Sequence, residues 1–160
     1  MKREISNQEI AQIFAEIADI LELKQDNPFK IRAYRKAVQL IEHLEKPLSQ
    51  VEDLQKLPGI GKELAEKIKI LLEGKPLPTL EKLRKEVEPG LLELLKIRGL
   101  GPKRIKTLNQ KLEIKDIESL RSALEEKPDL IIKLPGFGKK LVEDLKGSLY
   151  PLPLTSGSGS

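Results

Sequence analysis

The sequence holds 160 residues, enough for one domain or two small ones, with 29 Lys and Arg against 25 Asp and Glu for a formal net charge of +4. It has 0 Cys, 1 His and 0 Trp, which excludes a disulfide framework, a thiolate zinc site and a thiol nucleophile, and comes close to excluding a histidine-based triad or multi-histidine metal site. No apolar run approaches the ~18 residues of a membrane span, and the charged segment Met1 to Glu4 lacks the apolar stretch of a secretory signal. A cytoplasmic location without a membrane partner is therefore expected.

The composition points to helices. There are 29 Leu, charged residues make up 34% of the chain, and aromatics only 3%. Leu, Lys and Glu favour helix, whereas strands favour β-branched and aromatic residues. No strand-length apolar alternation occurs.

Ser6 to Leu23 reads as a helix. Ser6 and Glu9 have the spacing of a capping box, and Ile10, Ile13, Phe14, Ile17, Ile20 and Leu21 share one face. Asn27 followed by Pro28 starts a second helix that runs to about Leu44. Its apolar stripe is Ile31, Tyr34, Val38 and Ile41, with Lys30, Arg32, Arg35 and Lys36 on its first half. His43 reads as a surface residue. Pro47 interrupts the pattern, and Ser49 with Glu52 starts a short helix.

A unit then repeats. Leu57-Pro58-Gly59-Ile60-Gly61, Ile97-Arg98-Gly99-Leu100-Gly101 and Leu134-Pro135-Gly136-Phe137-Gly138 share the order apolar, any, Gly, apolar, Gly. Their starts lie 40 and 37 residues apart. Each follows a short helical run and precedes a longer amphipathic one, as expected of one supersecondary unit reused. Gly74 is placed to close the helix after the first hairpin, and Thr79 to cap the next one, beyond Pro76 and Pro78. Gly147 to Ser160, GSLYPLPLTSGSGS, reads as an appended tail outside the fold.

Two glycines in each hairpin allow a tight turn and a close backbone approach, and the apolar residue between them can plug back between the helices. The following helix then presents the unpaired N–H groups of its first turn and the positive end of its dipole, an anion site. Lys62, Lys103 with Arg104, and Lys139 with Lys140 set cationic side chains beside those donors. Regularly spaced phosphates of a nucleic-acid backbone suit such sites. The simpler reading is a connector between two helices. It fits one hairpin better than three with basic flanks.

These residues are those of the helix-hairpin-helix motif, and residues 4 to about 146 resemble the amino-terminal part of bacterial and archaeal family X DNA polymerases, relatives of polymerase beta. The resemblance runs through Asn27-Pro28-Phe29-Lys30-Ile31-Arg32-Ala33-Tyr34-Arg35-Lys36-Ala37, the first hairpin with Lys62 to Ile68, Gly99 to Arg104, and the third hairpin. It implies an all-α protein of two small packed helical units with three tandem hairpins. Residues 1–78 would form a 5′-phosphate-binding lyase-like unit, residues 79–146 a second DNA-binding unit, and 147–160 a flexible tail. The implied activity is DNA binding without sequence specificity, by a monomer preferring gapped or 5′-phosphorylated DNA.

The implied phosphate contacts are Lys30, Tyr34, Arg35, Gly59, Gly61, Lys62, Gly99, Gly101, Lys103, Arg104, Gly136, Gly138, Lys139 and Lys140. A sodium or potassium ion is implied at the carbonyls of Gln55, Leu57 and Ile60, and of Leu95, Ile97 and Leu100; no other cofactor is expected. Lys67 stands where the family's Schiff-base lysine stands, so the resemblance also implies 5′-deoxyribose-phosphate lyase chemistry. Two departures count against that chemistry, Glu63 in place of a phosphate-binding lysine and Phe29 in place of a histidine. The chain contains no Asp-x-Asp and ends before the family's palm domain, so polymerase activity is not expected of it. The narrow alphabet also fits a third reading, an engineered scaffold on this fold with a new ligand or peptide-presenting role. Residues 1–50 hold 8 basic and 8 acidic side chains, which suits it.

Overall fold

A computed structural model describes residues 4–149. Helices joined by turns and loops make up these residues, with no strand among them, and they divide after Val87 into two compact units.

In the first unit, α1 (Asn7–Leu23) is the central helix. Its capping box closes as expected, with Glu9 N donating to Ser6 Oγ at 3.1 Å and Ser6 N to Glu9 Oε1 at 3.0 Å. The face carrying Ile10, Phe14, Ile17, Ile20 and Leu21 is buried. Helix α2 (Pro28–Glu42) packs along it, burying Tyr34, Ala37 and Ile41. Phe14 and Tyr34 meet edge to face, with centroids 5.4 Å apart and planes at 89°. Each such fully buried apolar side chain contributes about 1.5–3 kcal/mol. Asn7 pins the following loop, donating to Lys46 O at 2.9 Å and accepting from Leu48 N at 2.8 Å.

The expected helix at Ser49 is instead two three-residue 3-10 turns, Leu48–Gln50 and Leu54–Lys56. Pro47 precedes the first without a side-chain cap, and Asp53 caps the second by accepting from Gln55 N. Helix α3 (Lys62–Leu72) follows the first hairpin. Gly74 closes it as expected, with Gly74 N donating to Leu71 O at 3.0 Å and Lys75 N to Ile70 O at 3.3 Å.

Helix α4 (Pro78–Lys85) begins one residue before the expected cap. Leu77 is the N-cap and Pro78 takes the first helical position, where its missing N–H costs nothing. The helix packs on α1 through Leu80 and Leu83. Arg84 binds Glu16 of α1 with two donors, Nε at 2.7 Å and Nη2 at 2.8 Å, and Lys24 pairs with Glu86. These contacts carry the first unit to Val87, past the expected boundary at 78.

The second unit contains α5 (Pro89–Leu95), α6 (Pro102–Leu112), α7 (Ile117–Glu126), α8 (Pro128–Ile132) and α9 (Lys139–Leu149). Leu94, Ile105, Leu108, Leu120, Ile131 and Leu145 form its buried centre. Helix α7 starts in a capping box, Ser119 N donating to Asp116 Oδ1 at 2.8 Å. The Ser119 hydroxyl, donating to Asp116 Oδ1 at 2.7 Å, and then the Ser119 N–H hold the Asp116 carboxyl below its ordinary range. Gly147 to Leu149 belong to α9, not to a tail; the rest of that segment lies outside the described residues. No helix among the described residues is long and apolar enough to cross a membrane.

Candidate nucleic-acid interface

The three repeats adopt one geometry. Ile60 N donates to Leu57 O at 3.0 Å, Leu100 N to Ile97 O at 3.1 Å, and Phe137 N to Leu134 O at 3.0 Å. The third residue of each turn is a glycine at positive φ: Gly59 at 84°, Gly99 at 94° and Gly136 at 83°. A closing i to i+3 bond with glycine at that position is the type II pattern, and Pro58 and Pro135 occupy the second position that proline favours. The apolar residue between the glycines (Ile60, Leu100, Phe137) is buried, as the plug reading requires.

The second glycine is informative for a different reason. Gly61 and Gly101 are extended, at φ −86° and −99°, a conformation open to any residue. A Cβ at Gly61, Gly101 or Gly138 would meet nothing within 4 Å. Neither strain nor packing inside the chain demands glycine at these three places. What a side chain there would obstruct is approach from outside.

Gly61 and Gly101 are the N-caps of α3 and α6 and supply no side-chain cap bond. The first intrahelical donors are Ala65 N and Ile105 N, onto Gly61 O and Gly101 O, and Val142 N bonds Gly138 O in the same way. The N–H groups ahead of these lack helical acceptors and face the positive end of the dipole outward. Lys62, Lys103, Lys139 and Lys140 are exposed beside them.

Two arginines are engaged elsewhere. Arg35 lies against α1, its Nη2 donating to Asp19 Oδ1 and to Glu22 Oε1, both at 2.8 Å. Even with this partner, burial pushes the Asp19 carboxyl above its ordinary value. Arg104 spans the second and third hairpins, donating from Nε to Gly136 O at 3.0 Å and from Nη1 to Gly99 O at 3.1 Å.

In the first unit, Lys30, Tyr34 and Lys67 come together at a cleft of about 370 Å³, with Glu63, Lys24 and Lys82 also on its walls. Tyr34 is only 2% exposed. Burial, and then the charge of Glu63, push its phenol up to about 12. Phe29, at the start of α2, is 74% exposed and carries the Arg32 guanidinium 5.3 Å from its ring centre. His43 is an exposed residue at the end of α2, its Nδ1 2.7 Å from Gln39 O.

The carbonyls of Leu57 and Ile97 each accept the turn N–H and keep a second lone pair. At the first hairpin these are neutral oxygens of the kind a hard cation takes. At the second, the Arg104 guanidinium already lies on Gly99 O, one residue before Leu100.

Known proteins agree with this architecture. A helix-hairpin-helix domain family matches residues 5–77, and a SAM-like helix-hairpin-helix tandem matches residues 91–149. Over 141 residues, 88% of the chain, it is 42% identical to the DNA polymerase/3'-5' exonuclease PolX of Bacillus subtilis (strain 168). The chain spans about a quarter of that relative, 24% of its length. The repeated turns, the two matched domains and this identity make the chain a tandem helix-hairpin-helix protein resembling the amino-terminal part of a family X DNA polymerase.

Proposed function

We propose that the chain binds DNA through the phosphate backbone, without reading base sequence. The observation that carries this is the glycine before each helix, at Gly61, Gly101 and Gly138, where neither positive φ nor internal packing calls for glycine and open space lies in front of the helix N-terminus. Uncapped helix N-termini and the exposed Lys62, Lys103, Lys139 and Lys140 supply donors and counterion release at the same three places. A monovalent cation at the first hairpin, held by Gln55, Leu57 and Ile60 carbonyls, would add positive charge there. The binding species is a monomer. If about four to eight phosphates are contacted, log K falls with log salt at a slope of roughly −4 to −7. A titration of fluorescent duplex at two or more salt concentrations tests this. A flat response, or no binding at low salt, refutes it and favours an inert scaffold.

The cleft of the first unit supports a second reading. Lys30, Tyr34 and Lys67 share its walls, a set suited to holding a 5′-phosphate beside an amine. A neutral Lys67 amine would attack the aldehyde of an abasic sugar, lose water to form a Schiff base, and permit β-elimination of the phosphate. Gapped or 5′-phosphorylated DNA would then be preferred. Glu63 on the same wall opposes a phosphate and keeps such turnover slow. Borohydride should trap a covalent adduct that Lys67→Ala largely removes. Equal trapping in both chains would reflect indiscriminate surface amines and end this reading.

A further inference from the structure

We propose that Arg104 is a positioning residue: a strut that fixes the second and third hairpins as one phosphate-binding pair, and does not itself bind phosphate. This rests on the backbone-binding reading above and concerns how two of its sites are coupled.

Arg104 stands three residues after Gly101, on the first turn of α6. Its side chain nevertheless ends on both turns at once. Nη1 donates to Gly99 O of its own hairpin and Nε to Gly136 O of the next, 32 residues away in sequence. Both acceptors belong to the glycines held at positive φ, at 94° and 83°. A guanidinium is a rigid planar fork. Two donors of one plane on two carbonyls fix both the separation and the relative tilt of the turns. A flexible ammonium does neither.

The partner contact comes from the equivalent position of the other hairpin. Leu141 stands three residues after Gly138, and its Cδ1 would lie 3.2 Å from a Cβ at Gly99. A Cβ at Gly136 has Arg104 Nε as its nearest neighbour, at 4.0 Å. Each hairpin thus sets its third helical residue against the first glycine of the other, one contact polar and one apolar. The exchange is reciprocal, so a shift of either turn moves the helix N-terminus that follows the other.

Phosphates along a DNA strand have fixed spacing, and two anion sites gain from each other only if their own spacing is fixed in advance. The strut supplies that. It also commits the Nε and Nη1 donors to carbonyls, which withholds them from a ligand.

The test is a double-mutant cycle on duplex binding, with Arg104→Met and Arg104→Lys crossed against Lys139→Ala plus Lys140→Ala. If Arg104 is the strut, removing the two lysines weakens the unsubstituted chain about 10-fold but the Arg104→Met chain less than about 3-fold. The salt slope of Arg104→Met then falls by about 2 or more, because the third hairpin's contacts leave with the strut. Arg104→Lys, which keeps the charge and loses the fork, does not rescue. Independent effects with a slope change of about 0.9 mark a direct phosphate contact and overturn the proposal. Rescue by Arg104→Lys overturns it too. Hydrogen exchange without DNA separates this from the parent reading. The turn-closing amides of Leu100 and Phe137 should exchange at least 5-fold faster in Arg104→Met. Unchanged exchange overturns the strut even if DNA binding is sound. Faster exchange in a chain that binds no DNA refutes the backbone-binding reading alone.

Discussion

Gly59 and Gly61 differ by two positions, and their replacement by alanine should separate folding from binding. Gly59 sits at φ +84°, a region where a Cβ costs an L-residue roughly 1–2 kcal/mol. Space is not the problem there, because a Cβ would meet nothing within 4 Å. Gly59→Ala should therefore lower stability by about 1–2 kcal/mol, all of it backbone strain. Gly61 is extended, at φ −86° and ψ −171°, and its Cβ site is equally open. Gly61→Ala should cost no more than about 1 kcal/mol, the difference between glycine and alanine as a helix N-cap, since neither strain nor a clash arises. The added methyl stands beside the uncapped first turn of α3, where a phosphate oxygen would come within hydrogen-bond distance, ~2.9 Å, of an N–H. One lost phosphate should flatten the salt slope by about 0.9, and Gly61→Ala, Gly101→Ala and Gly138→Ala combined by about 3. Urea denaturation reads the first quantity and anisotropy titrations at several salts the second. A triple variant that folds and binds with an undiminished slope would refute the idea that these glycines admit a ligand.

The remaining predictions concern groups whose burial or crowding sets the outcome. The Tyr34 phenol, pushed up to about 12 against an ordinary 10.0 by burial and then by Glu63, favours the native state fully below pH 10 and loses that contribution as pH rises toward 12. Glu63→Gln should move its titration down, read by the ring carbon shift of labelled tyrosine, and an unchanged midpoint would remove Glu63 as a cause. Gly90 lies in α5 where a Cβ would collide with the Lys115 carbonyl oxygen and come within 2.9 Å of Asp116 Cβ. Gly90→Ala should therefore cost roughly 1–3 kcal/mol in the second unit, whereas a Tm like that of the unsubstituted chain would show that the 115–116 segment yields freely. Phe29→Ala should alter stability by less than ~0.5 kcal/mol, because the ring is 74% exposed, and a larger loss in urea denaturation would mean the Arg32 contact matters more than its position suggests.

Where a feature depends on neighbours in sequence, the residues alone reveal it. Ser6 with Glu9 and Asn27 with Pro28 mark two helix starts that the structure keeps, and the spacing of the glycines reveals all three turns. Ser49 with Glu52 misleads because capping spacing says nothing of length. The segment between Pro47 and Pro58 folds instead as two single 3-10 turns, the second capped by Asp53. Thr79 misleads because Pro78 takes the first helical position ahead of it. The boundary after Val87 depends on α4 packing against α1, with Arg84 and Glu16 68 residues apart in sequence. Basic side chains are the hardest to read. Arg35 and Lys30 look alike on one helix, yet Arg35 is held by Asp19 and Glu22 while Lys30 lines a cleft. Nothing local to Arg104 reveals that its acceptor lies at Gly136.

The second position of each turn separates the hairpins in another respect. It is Pro58 in the first and Pro135 in the third, but Arg98 in the second. A pyrrolidine ring sets φ before the chain folds, so it narrows the unfolded ensemble and lowers the entropy lost on closing the turn. The second turn lacks that ring, and its own helix supplies a guanidinium on Gly99 O instead. One device acts before folding and survives any rearrangement of the unit. The other exists only while α6 and both turns are assembled, so the second hairpin's shape is contingent on its neighbour's. Replacing Arg98 by proline would transfer that turn's order from tertiary structure to covalent structure and make it independent of the third hairpin.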